Sequence, residues 1–179
     1  MSGNPLDKDG IIKTKKRESS QRGETRMSRP SASVFDVAEF ILVTKGPLTT
    51  MKLQKLVYYS QAWSLTWDEG PIFPEKILAW ANGPVVYELF KKFQRQYQIS
   101  TTKIGDPNKL KPKNIETIRA VLEYYGDKSS QWLSDLTHME SPWINARRGL
   151  AQNARGCREI THAALAEYYG SLEPSSKTN

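Results

Sequence analysis

Thiols are almost missing from this chain: Cys157 is the single cysteine among 179 residues. That excludes an intramolecular disulfide framework and removes one sign of secretion. With only two histidines beside it, a zinc site built from Cys and His alone has too few ligands. No apolar run approaches the ~18–20 residues of a membrane helix, and no signal-peptide stretch opens the chain. The expectation is a cytoplasmic protein without membrane contact. Phosphate-cradling glycine loops and zinc-protease helices are absent too. His138 follows a helical segment and His162 sits in a first turn, while Cys157 lies between Gly156 and Arg158 with no base at a diagnostic spacing. A nucleophile needs such a base, so no catalytic residue, metal or cofactor is expected and the chain reads as no enzyme.

Apolar residues are scarce as well, 38% of the whole against roughly 45–50% in an average globular chain. The shortage is local. Residues 1–31 hold eight Lys/Arg against four Asp/Glu and no aromatic residue, while 32–179 hold every Trp, Tyr and Phe. More than half of the net charge of +7 therefore sits in the first segment. Such a composition does not offset the entropy of ordering, so 1–31 is expected to be a disordered basic tail. Its Lys13-Thr14-Lys15-Lys16-Arg17 block suits weak, non-specific contact with nucleic acid or contact with an acidic partner. Residues 32–172 are expected to form one domain, and 173–179 a flexible carboxy terminus.

What is present is helical patterning. Ser33 with Asp36 three residues on starts a helix carrying Val34, Val37, Ala38 and Ile41 on one face. Gly46-Pro47 ends it, and Thr49 or Thr50 caps a second helix running to about Trp67. Residues 77–81 read as a short strand, with 99–104 as its pairing partner. Gly83-Pro84 is expected to open a third helix, because proline suits a first helical position, with Val86, Leu89, Phe90, Phe93 and Tyr97 recurring along it. Asn114 starts a fourth, Ser129 or Ser130 caps a fifth, and Pro142-Trp143 fixes a further helix start. Thr161 caps the last, with Ile160 stapled onto Leu165. The fold class is mainly α: a compact domain of about six helices with at most one short β-hairpin.

Residues 51–67 carry two stripes. Leu53, Leu56, Val57, Ser60, Trp63 and Trp67 form one; Gln54, Tyr58, Gln61 and Leu65 form the other, where a solvent face would ordinarily show charges. The second stripe reads either as a polar seam bonding the backbone of 80–85 or as a partner-facing surface, since tyrosine is favoured in both. The basic clusters Lys91-Lys92-Arg95 and Arg147-Arg148-Arg155-Arg158 suit solvated faces or acidic partners. A DNA-binding transcriptional regulator is the alternative function, since phosphate contacts come from such residues.

The run Met51-Lys52-Leu53-Gln54-Lys55-Leu56-Val57-Tyr58-Tyr59-Ser60-Gln61-Ala62-Trp63 resembles the signature helix of the Panacea, or SocA-like, antitoxin domain family. The stretch Ile77-Leu78-Ala79-Trp80-Ala81-Asn82-Gly83-Pro84-Val85-Val86-Tyr87 is similar to its second motif. Ser141-Pro142-Trp143 and Ile160-Thr161 resemble carboxy-terminal features of the family, so the likeness spans about 34–172. The resemblance implies a helical antidote of a bacterial or phage toxin–antitoxin pair. It would bind a cognate protein toxin and neutralise it, by direct block or by delivery to the Clp protease machinery. The tail departs from this compact domain. A neutralising surface has to be ordered before its partner arrives. Lys52, Gln54, Lys55, Tyr58, Gln61 and Tyr87 are accordingly expected to face the partner, and Leu53, Leu56, Val57, Trp63 and Trp80 to form core.

Overall fold

A computed structural model of the chain describes residues 30–173. The expected tail, apart from Pro30 and Ser31, and residues 174–179 lie outside the described residues. Among the described residues there are seven α-helices: α1 (Val34–Lys45), α2 (Thr50–Trp67), α3 (Tyr87–Phe93), α4 (Pro112–Tyr125), α5 (Ser130–Met139), α6 (Ser141–Ala146) and α7 (His162–Leu172). Two antiparallel pairs accompany them, β1 (Leu48–Thr49) with β4 (Gln98–Ile99) and β2 (Ile77–Trp80) with β3 (Gly83–Val86). The fold is mainly α, as the periodicity implies, and no helix among the described residues is long and apolar enough to cross a membrane.

Helix α2 is the centre of the molecule. Its residues 53–64 are buried without interruption, because α1, α4, α5, α7 and β3 pack around it on all sides. Leu53, Leu56, Val57 and Trp63 lie in the core as expected. The caps are those the sequence predicts. Asp36 takes the Ser33 backbone N–H at 2.7 Å, and Thr49, Ser129 and Thr161 accept from the third residue of α2, α5 and α7 respectively. Each satisfies a donor that a helix start leaves free.

The strands differ from expectation. Residues 77–80 pair with 83–86 rather than with 99–104, and Ile99 pairs with Leu48. Gly83-Pro84 therefore opens a strand, and the third helix begins only at Tyr87. The cue was ambiguous: proline lacks an N–H, which suits a first helical turn and an edge strand alike. The β-branched pair Val85-Val86 favours the strand, and so does Gly83 at φ +107°, a value foreign to a helix. Tyr97 consequently lies beyond α3 and is exposed. Helix α4 starts two residues before Asn114, at Pro112, and the Pro142 start belongs to the separate short helix α6.

Candidate functional site

The polar stripe of α2 turns inward. The Gln54 amide works as a fork: Oε1 accepts the Val86 N–H at 2.8 Å and Nε2 donates to the Val86 carbonyl at 3.1 Å. Seven residues on, Gln61 repeats the device, with Oε1 accepting from Ile72 N at 2.8 Å and Nε2 donating to the Phe73 carbonyl at 2.8 Å. Between them Lys55 sends its ammonium to the Pro84 carbonyl at 3.2 Å. Tyr58 packs edge-on against Tyr59 and Tyr169. Four of the six residues expected to face a partner, Gln54, Lys55, Tyr58 and Gln61, are thus buried, and their surface placement is corrected. Each serves backbone or phenol groups brought from elsewhere in the chain, which would otherwise be buried without partners. Lys52 is half-buried, and Tyr87 reaches the surface at 44% exposure.

Among the described residues Lys55 has that one carbonyl as hydrogen-bond partner, and it is 1% exposed. Burial pushes its amine down to about 7, because an ammonium loses more solvation than a neutral amine. The loop above it has no room to spare. A Cβ at Gly83 would lie 2.7 Å from Lys55 Cε and 2.8 Å from Nζ. Burial, then the nearby Lys55 charge, also hold His138 below the usual imidazole range. The His138 ring stacks on Trp143 at 4.3 Å.

The β2–β3 hairpin is gripped from its other side as well. Trp143 Nε1 donates to the Trp80 carbonyl at 2.9 Å, and Ser134 holds the Asn82 carbonyl at 3.1 Å. Arg147, expected in an exposed basic cluster, is instead buried. Its guanidinium serves four carbonyls: Ala79 at 2.8 Å, Ala151 at 3.0 Å, Gln152 at 3.1 Å and Ala154 at 2.9 Å. It thereby folds the segment 147–158 against β2, where Ala79 N donates to Arg158 O at 2.9 Å. That segment carries Arg155 to the surface, its guanidinium 4.6 Å from the Trp80 ring and 5.9 Å from Phe90. Trp80, assigned to the core from sequence, is only half-buried here.

The result is a rigid aromatic corner made of Trp80, Tyr87 and Phe90 under Arg155. Beside it opens a cleft of about 210 Å³ between α2, the hairpin and α3, lined among others by Met51, Lys55, Val85 and Phe93. Sequence reasoning missed Arg147 and Trp143 as organisers of this corner. Nothing in a run of arginines tells the buried one from its exposed neighbours Arg148, Arg155 and Arg158.

One helical turn along α2 from Lys55, Glu140 is buried at the junction of α5 and α6 beside Tyr59. Tyr169 donates to it at 2.7 Å and Tyr59 at 3.3 Å. Burial pushes its carboxyl up to about 8, the two phenols pulling it partway back. An unfolded chain would ionise this group near the ordinary 4.5. Its contribution to stability is therefore full below that value and is lost as pH rises through about 8. Lys55 acts in the opposite sense: its contribution is full above 10.5 and is lost as pH falls to about 7. Thermal melts should fall in midpoint from pH 5 to pH 7, above which the Lys55 contribution offsets the fall, and Glu140→Gln should flatten that slope while keeping an acceptor for the phenols. Parallel curves for the two proteins would overturn this account.

Cys157 is exposed, His162 meets Gln61 at 3.4 Å, and no three His, Cys, Asp or Glu side chains gather to hold a metal among the described residues. In comparison with known proteins, a family model described as antitoxin SocA-like, Panacea domain, matches residues 53–144. The matched stretch holds the central helix from Leu53 on, the hairpin and the Trp80, Tyr87 and Phe90 rings, while α1, α7 and Arg155 lie outside it. Neither a curated protein nor a solved structure matches the chain.

Proposed function

The chain belongs to the SocA-like antitoxin, Panacea domain, family, and from that premise we propose that it binds and neutralises a cognate protein toxin in the cytoplasm. Neutralisation is by protein–protein contact and needs no catalytic step. The observation that carries this reading is the aromatic corner. Tyr87 is 44% exposed, yet it sits on a hairpin–helix turn whose backbone Gln54, Lys55 and Trp143 hold from within. A surface ordered in advance spends little affinity on ordering at contact, and exposed Tyr and Trp are the usual anchors of interfaces. In this reading Tyr87 and Lys52 touch the toxin, while Gln54, Lys55, Tyr58 and Gln61 position the surface from behind.

Co-expression with the toxin encoded beside this chain is the direct test. Wild type should restore growth. Tyr87→Ala should weaken toxin binding by roughly 1–3 kcal/mol, the loss typical of an interface anchor, with little change in melting temperature. Full affinity in a folded Tyr87→Ala protein would remove the corner from the interface. Repeating the co-expression in cells without the Clp protease separates the two mechanisms: protection that persists is direct block, and protection that disappears is delivery for degradation.

A further inference from the structure

The corner and its cleft have a chemical bias. The exposed cations Lys91, Lys92 and Arg95 at α3, and Arg148, Arg155 and Arg158 on the 147–158 segment, have no carboxylate partner among the described residues, whose ion pairs include Lys45–Asp127 and Lys76–Glu159. Lys55, on the cleft wall, also lacks one. Of the nearby carboxylates, Asp135 takes the Gln131 amide at 2.7 Å and Glu75 caps α1 at Val34, while Glu88 is exposed on α3 and lines no part of the cleft. No Asp or Glu lines the cleft: besides Lys55 its walls are apolar or aromatic, with Thr50, Gln54, Asn82 and Gln94 as the polar exceptions.

We propose that this cleft seats an apolar side chain of the protein partner, and that the residues flanking that side chain are acidic, with Arg155 on Trp80 taking a carboxylate at the rim. The identity of that partner as a toxin rests on the function proposed above; the chemistry of the segment does not. Three features of the site suit such an occupant. A space of about 210 Å³ admits a leucine- or phenylalanine-sized group, whose burial removes apolar surface from water. A guanidinium stacked on an indole keeps its forward edge free, and its planar fork matches a carboxylate. A guanidinium at the rim of a hollow that no Asp or Glu lines attracts acidic chains and disfavours basic ones, which sets on-rate and specificity.

The test uses the full chain and three labelled probes, followed by fluorescence anisotropy. They are a dodecapeptide alternating Leu or Phe with Asp or Glu, the same peptide with Lys at every acidic position, and a single-stranded DNA dodecamer. The acidic peptide should bind, more weakly as salt rises, and the lysine version should not. Arg155→Glu and Met51→Glu, both at exposed positions, should each weaken the acidic peptide about tenfold or more, with melting temperatures near wild type. Arg155→Lys should fall between. Absence of acidic-peptide binding, or wild-type affinity in either Glu variant, overturns the proposal. Tighter binding of the DNA probe would assign the face to nucleic acid instead. Failure of the wild-type chain to neutralise its neighbouring toxin would sink the antitoxin reading and leave this titration standing.

Discussion

Gln61→Ala is expected to cost about 3 kcal/mol of stability, lowering the thermal midpoint by roughly 6–12 °C for a domain of this size. Gln61 is fully buried, and its amide is matched on both ends to the backbone of Ile72 and Phe73. Truncation leaves a buried N–H and a buried carbonyl without partners, each costing about 1–3 kcal/mol, and opens a cavity beside them. Relaxation of the 70–74 segment toward solvent recovers part of that loss. Gln61→Glu should be worse, because a carboxylate cannot donate to the Phe73 carbonyl and would be buried as a charge. Calorimetry measures the loss, and a toxin titration corrected for folded fraction should show unchanged affinity. A normal melting point with weakened binding would return this residue to the interface.

Arg147→Ala should act on a smaller region with comparable force, about 2–4 kcal/mol. One guanidinium holds four carbonyls, and hydrogen bonds from a charged donor count for more than neutral ones. Three of those carbonyls lie on the segment 151–154 and regain water when it loosens; Ala79 O, on the buried strand, does not. The loss should therefore concentrate in 147–158. Hydrogen exchange is the suitable probe: protection should drop in that segment and along β2 while α2, α4 and α7 keep theirs. Arg147→Lys should rescue little, since one ammonium cannot span the spread of the fork. Because the same segment carries Arg155 onto Trp80, the alanine variant should also lose acidic-peptide binding. Unchanged exchange across 147–158 would show that the loop is held by other means.

The residues that sequence reasoning placed on a partner-facing surface illustrate how polar stripes mislead. Gln54, Tyr58 and Gln61 recur at helical spacing with no charge among them, and the pattern fits an internal seam and an interface equally. The choice depends on whether unpaired backbone groups stand within reach, and those groups belong to segments 11 to 32 residues away. Lys55 is harder still to place. A lone lysine on a helix ordinarily faces water, and only the close approach of the Gly83 turn and α5 shuts it in.

By itself the sequence determined the helical class, the caps at Ser33 and Thr161, the position of two more to within one residue (Thr49 or Thr50, Ser129 or Ser130), the apolar stripe of α2 and the motifs that carry the family likeness. All of these are set by residues within a turn or two of one another, through side-chain period and local hydrogen bonds. Tertiary structure alone decided that 83–86 is a strand, that the Gln/Tyr stripe faces inward, that Arg147 is buried while Arg155 is not, and that Trp80, Tyr87 and Phe90 meet at one corner. The physical reason is common to all four. A backbone donor or acceptor, or an aromatic face, is satisfied by whatever the chain brings beside it, and that partner is not written in the local pattern.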